Sequence, residues 1–276
     1  MKRVDRSNNA INHHKRRKLA VRPAQPHYTK GSSILIVGDG DFSFSKALLS
    51  ICECGQRLIA TSFDDEKAVF EKYANAKSCI QYIKTHGAYV LHRVDATQLD
   101  QTLWRVNGLT KLFDYVIFNF PHTGQQRVHL NRNLLRDFFQ SARTILTPLG
   151  EVHITLKNRP PYSNWQIEKF ARDSHYLLKA RQKFDSRLYP GYQHRTTDPL
   201  AKFFETELCT TYIFIVNRVK FPMKSVPSAQ LSANLNKCAT VESDHGTSLA
   251  LETSDLDYQM TLWKPWHHPS NFHTTT

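Results

Sequence analysis

Between residues 33 and 157, short β-branched or apolar runs alternate with stretches of helical spacing, and four of the five runs stop on acidic or amide residues. Ser33-Ile34-Leu35-Ile36-Val37 ends on Gly38-Asp39-Gly40-Asp41, a run over 58–63 ends on Asp64-Asp65, and one over 88–93 ends at Val94-Asp95-Ala96-Thr97. Tyr115-Val116-Ile117-Phe118 stops on Asn119-Phe120-Pro121-His122, and a fifth run over 151–157 is broken by Pro160-Pro161. Uninterrupted apolar runs of this length suit strands buried on both faces of a parallel sheet. Helical spacing over 42–51, 66–87, 131–146 and 165–174 fills the gaps, with Gly87, Pro148 and Gly150 as stops. Two more strands are expected near 176–184 and 209–218. The repetition argues an α/β fold with a doubly wound, mostly parallel sheet and late antiparallel strands. Ligands of such sheets collect beyond the carboxyl ends of the strands, where the polar residues are placed.

Charge divides the chain. Residues 1–30 carry a balance of +8, residues 31–222 a balance of +7 and residues 223–276 a balance of −2. The first 30 residues, with His13-His14-Lys15-Arg16-Arg17-Lys18, read as a disordered basic arm that serves as a nuclear address or as a solvated tail. Residues 31–221 form the expected globular domain, and the Ser, Thr, Asn and His content of 222–276 reads as a disordered tail. The basic excess favours a polyanionic partner, nucleic acid above all. No run reaches the roughly 18 apolar residues of a membrane-spanning helix, and no signal-peptide core is present. Five cysteines without CxxC spacing imply reduced thiols in cytosol or nucleus and no metal site. Cys52 and Cys54, two apart in an expected helix, point in different directions.

The loop Gly38-Asp39-Gly40-Asp41 lets backbone approach a ligand at a helix N-terminus. It lacks the third glycine of a dinucleotide fingerprint, and its aspartates repel a pyrophosphate. Acidic lining suits a cofactor with a sulfonium and an ammonium group, namely S-adenosylmethionine; the alternative is a tight turn with Asp capping the helix. Asp64 fits a carboxylate on ribose hydroxyls, with Asp65 as alternative ligand or helix cap. Asp95 suits the adenine amino group or an ordinary turn. Asn119 and a backbone carbonyl can hold a planar nitrogen, and Pro121 stiffens the bend. His122 is either a general base for a ring nitrogen that must lose its proton or a loop histidine bonded to backbone. Lys157 and Arg159 face the same rim as candidates for substrate phosphate. The segment 179–195 interleaves Lys179, Arg181, Lys183 and Arg187 with Tyr189, Tyr192, His194 and Arg195, a mixture suited to RNA or to a solvated charged hairpin over a strand edge.

Asn119-Phe120-Pro121-His122 resembles the Asn/Asp-Pro-Pro-Tyr/Phe signature of nitrogen methyltransferases, with His122 in the aromatic position. Together with Ile34 to Ser45, Val94-Asp95-Ala96-Thr97, His153-Ile154-Thr155-Leu156-Lys157 and Tyr189-Pro190-Gly191-Tyr192 with His194-Arg195, it makes residues 31–218 similar to the Rossmann-like domain of eukaryotic 25S rRNA uridine-N3 methyltransferases, plant proteins included. The resemblance implies a class I methyltransferase using S-adenosylmethionine, with nucleolar rRNA or a pre-ribosomal particle as partner, working as a monomer in the nucleus or, alternatively, in the cytoplasm. Gly38, Asp39, Gly40, Asp64, Asp95, Asn119 and Phe120 would hold the cofactor. Asn119 and His122 would serve catalysis, and Pro121, Lys157, Arg159, Tyr192, His194 and Arg195 would bind substrate. A catalytically idle RNA-binding assembly factor and a nitrogen methyltransferase with a protein substrate are the competing readings. A ferredoxin-fold anticodon-binding module, which some relatives carry, has no counterpart in the sequence.

Overall fold

The computed structural model describes residues 28–103, 112–194 and 208–223. The expected N-terminal arm lies outside them except for its last three residues, and the expected tail except for Pro222 and Met223. Among the described residues seven strands form one sheet: β1 (Ile34–Ile36), β2 (Leu58–Thr61), β3 (Tyr89–Leu91), β4 (Phe113–Asn119), β5 (Leu146–Lys157), β6 (Tyr176–Lys183) and β7 (Cys209–Val216), in the order β3-β2-β1-β4-β5-β7-β6. The first five are mutually parallel, and β7 runs antiparallel to both β5 and β6.

Alternation along the strands builds two cores, as the pleat requires. Leu35, Ile59, Val116, Phe118, Val152 and Ile154 face one side, where α4 (Leu99–Thr102), α5 (Val128–Ala142) and α6 (Ile167–Asp173) bring Leu99, Leu135, Phe138, Phe139 and Ala171. Ile34, Ile36, Leu58, Ala60 and Ile117 face the other, covered by α1 (Ser43–Cys52), α2 (Glu66–Lys72) and α3 (Ala76–Thr85). Ser33 fixes β1 against β4, its N–H donating to Asp114 Oδ2 at 2.9 Å and its hydroxyl to the Leu112 carbonyl at 3.1 Å. Among the described residues no helix is long and apolar enough to cross a membrane.

Four local expectations change. The helix expected over 66–87 is two: Tyr73 leaves helical geometry with φ −132° and ψ 102° and joins the core beside α1, its hydroxyl standing over Gly40. β5 begins at Leu146, inside the expected helix, because Leu146 pairs with Phe113 before a register shift carries the ladder past Pro148 and Gly150. Cys52 and Cys54 do not diverge. α1 ends at Cys52, Glu53 turns into the left-handed region at φ +49°, and the two sulfurs are joined in a disulfide. Tyr28, assigned by sequence to the arm, is buried, and its hydroxyl bonds His153 Nδ1 at 2.7 Å.

Candidate active site

The order β3-β2-β1-β4-β5 reverses direction between β1 and β4, and a cleft of about 840 Å³ opens there beyond the carboxyl ends of the strands. Its lining includes Gly38, Asp39, Gly40, Asp64, Asp95, Asn119, Phe120, His122, Tyr192 and His194, so ten residues singled out by sequence converge on one space. Among the described residues, four acidic side chains (Asp39, Asp41, Asp64 and Asp95) meet a single lysine, Lys72, in that wall. Such a field disfavours a pyrophosphate and favours a cation.

The glycine loop is fixed by contact. A Cβ on Gly38 would lie 2.9 Å from Phe118 Cε2, at φ +65°, and one on Gly40 would lie 2.9 Å from the Tyr73 hydroxyl. The loop aspartates perform the capping role. Asp39 Oδ2 accepts the Ser45 N–H at 2.7 Å and the Ser45 hydroxyl at 2.5 Å, while Asp41 Oδ1 accepts the Ser43 N–H at 3.0 Å. Both serve the orphan donors of α1. Burial, reinforced by the Asp41 charge, raises Asp39 to about 7 against the hydrogen bonds from Ser45. Asp65 is the cap of α2, accepting the Ala68 N–H at 2.9 Å and pairing with Arg93. Asp64 is left facing the cleft, 2.7 Å from Lys72 Nζ. Asp95 Oδ1 holds Thr97 through its N–H at 2.8 Å and its hydroxyl at 2.7 Å. Between Ser62 and Asp64, Phe63 leaves 69 % of its surface exposed at the rim, an apolar face that the sequence reading missed.

On the opposite wall, Asn119 closes β4. Its Oδ1 accepts the Thr155 hydroxyl at 2.7 Å, and that hydroxyl is 2.9 Å from Thr211 Oγ1. Asn119 Nδ2 is buried without an acceptor among the described residues. Phe120 adopts φ +52°, a conformation bulky residues rarely take and which clusters at functional sites. Its ring is buried, 4.3 Å from that of His194 and 5.7 Å from that of Phe184. Pro121 is buried and lies outside the cleft wall. His122 lines the cleft, with the Gly124 N–H donating to its Nδ1 at 2.8 Å and its ring 5.9 Å from Trp165.

The expected substrate rim is rearranged. Lys157 is buried at the end of β5, and its charge adds to burial in pushing His194 down to about 3. Arg159 is exposed and outside the cleft wall; Arg195 lies outside the described residues. In the basic-aromatic segment, Tyr189 and Tyr192 pack against Phe44 at 4.8 and 5.3 Å. Lys179 pairs with Glu151, Arg181 with Glu168 and Arg187 with Asp185. Lys179, Arg181 and Lys183 alternate on the exposed face of β6, the edge strand, as charges that guard an edge do. Tyr162, which the sequence offers as aromatic surface beside Arg159, also lines the cleft, as do Thr123 and Gln126, which carried no sequence signal.

The chain is 34% identical over 86% of its length to heavy metal-associated isoprenylated plant protein 41 of Arabidopsis thaliana, and spans about half (49%) of that relative. It is 33% identical over 68% of its length to the uncharacterized Arabidopsis thaliana protein At4g26485, covering 94% of it. It is 23% identical over 62% of its length to the 25S rRNA (uridine(2634)-N(3))-methyltransferase of Saccharomyces cerevisiae, covering 68% of that enzyme. Residues 35–196, more than half of the chain, match the family model described as rRNA (uridine-N3-)-methyltransferase BTM5-like. With its acid-lined cleft at the sheet's switch point and an Asn-Phe-Pro-His rim after the central strand, the chain belongs to the BMT5-like family.

Proposed function

We propose that the protein transfers a methyl group from S-adenosylmethionine to N3 of a uridine in large-subunit rRNA. The observation that carries the reading is the cleft itself: carboxylates on one wall, Asn119 and His122 on the other. When bound, S-adenosylmethionine supplies an electrophilic methyl on a positively charged sulfur. The residues present fit it. Gly38 and Gly40 line the cleft, and having no side chain to collide with Phe118 and Tyr73 they let the loop lie close against its wall. Asp64, beyond the end of β2, would take the ribose hydroxyls, Asp95, beyond the end of β3, an amino group, and Phe63 a flat ring face, and all three line the cleft. Asp39 and Asp41 support the loop, their oxygens holding the first turn of α1. The Thr155 hydroxyl fixes the Asn119 amide, so the donor group of that side chain costs no reorganisation when substrate enters.

The substrate class is supported by family membership and by the yeast relative's named reaction. The same reading puts the protein's work in the nucleus, at ribosomal RNA or a pre-ribosomal particle, with the basic N-terminal residues as its address. Calorimetry of the full chain should show saturable, roughly one-to-one binding of S-adenosylmethionine. Nucleoside mass spectrometry should show N3-methyluridine in large-subunit rRNA incubated with protein and methyl donor. Tight, salt-sensitive rRNA association with unchanged nucleoside content would instead identify an idle assembly factor.

A further inference from the structure

The His122 loop constrains what that ring can do. A main-chain N–H only donates, so the Gly124 N–H at 2.8 Å requires a lone pair on Nδ1. Neutral imidazole then bears its one proton on Nε2. Partial burial pushes His122 below the ordinary imidazole range, which keeps the ring neutral at neutral pH. Nothing among the described residues takes Nε2, and the ring faces the cleft. The loop is not free to rearrange. Buried Asn131 on α5 accepts the Thr123 N–H at 3.0 Å through Oδ1, and its Nδ2 donates to the carbonyls of Gln125 at 2.8 Å and Arg127 at 3.1 Å. Gly124, at φ +80°, is thereby held between anchored neighbours.

We infer that His122 serves the substrate as a hydrogen-bond donor through Nε2–H, directed at a carbonyl oxygen beside the nitrogen that takes the methyl group, and not as the base that removes its proton. The assignment rests on the proposed uridine-N3 reaction. An imide nitrogen between two carbonyls becomes nucleophilic by losing its proton, and the negative charge spreads onto both oxygens. A preorganised donor on one oxygen stabilises that anion and lowers the barrier to forming it. In balance, the N3–H bond breaks with its proton passing to solvent water, and the N3 electron pair forms the N–CH3 bond. The donor's carbon–sulfur bond breaks with its electrons kept by sulfur, leaving a neutral thioether. Asn131 is a positioning residue for this arrangement, acting through the loop.

Long-range proton–nitrogen NMR of the full chain with 15N-labelled histidine, assigned against His122→Gln, should show an unprotonated Nδ1 and a protonated Nε2 at His122. A predominant Nδ1–H form overturns the proposal. In methyl transfer to a uridine-containing rRNA fragment, His122→Gln keeps a donor but no basic site and should stay within about tenfold of wild type, while His122→Phe should lose on the order of 10²–10³-fold. Equal losses, or an acid limb in the pH–rate profile that His122→Gln abolishes, would assign the base role instead. Wild-type protein that leaves uridine unmethylated sinks the functional reading and the donor role together. Product formation with either adverse variant result removes the donor role alone.

Discussion

Replacing Gly38 by alanine probes the packing that holds the glycine loop. Two costs add. At φ +65° an L side chain enters the left-handed region, at about 1–2 kcal/mol. The new Cβ would also stand 2.9 Å from Phe118 Cε2. That ring cannot swing away, being buried edge-on against Phe138 at a centroid distance of 5.0 Å, and overpacking of this kind costs about 1–3 kcal/mol. The expected destabilisation is roughly 2–5 kcal/mol, which for a domain of this size is a fall in melting temperature of roughly 4–20 °C. Urea unfolding followed by circular dichroism should show the midpoint falling with an unchanged slope. In a Phe118→Leu background the same substitution should cost only the backbone part, about 1–2 kcal/mol. At Gly40 no positive φ is involved, and an added Cβ would meet the Tyr73 hydroxyl at 2.9 Å and its ring carbons Cζ and Cε2 at 3.1 and 3.3 Å, so a Tyr73→Phe background should relieve only the hydroxyl's part of an alanine's cost. A Gly38→Ala protein within about 0.5 kcal/mol of wild type, the range of neutral surface changes, would show that the loop yields and that Phe118 does not fix it.

Asp39, raised to about 7 by burial and by Asp41, keeps its proton in the folded state at pH values where the unfolded chain has lost it. The folded state then binds more protons, so this group's contribution to stability falls as pH rises from about 4 to 7. Asp39→Asn, which retains an acceptor for Ser45, should flatten that fall in denaturation midpoints measured across the window; an unchanged slope would assign it elsewhere. Asp65→Ala removes the cap of α2 and should cost about 1 kcal/mol by urea unfolding, with methyl-donor affinity in calorimetry unchanged. Lost affinity would make Asp65 the ribose ligand in place of Asp64. Tyr28→Phe removes the 2.7 Å hydrogen bond to buried His153 Nδ1 and should cost about 1 kcal/mol; a neutral result would show that Tyr28 does not anchor the start of the domain.

Chain-neighbour chemistry carried much of this protein. Five apolar runs, four with polar ends, fixed the parallel sheet and placed Asp64, Asp95, Asn119 and His122 on one rim, because a strand's period and the residue that ends it are local properties. The helix stop at Gly87, found at φ +80°, was equally local. How each polar side chain is spent depends on residues far away in sequence, and there the three-dimensional fold decided. Asp39 turns to Ser45 because α1 begins there with unpaired N–H groups, and Tyr73 breaks a helix of good spacing because its ring belongs over Gly40. The basic-aromatic segment divides between core and edge strand because Phe44 and Phe184 offer its tyrosines an apolar surface and β6 has no outer partner strand among the described residues. His122 could be read as a base until the turn brought the Gly124 N–H to Nδ1. A residue's type names the chemistry open to it, and the hydrogen bonds of the folded chain select which part remains for a ligand.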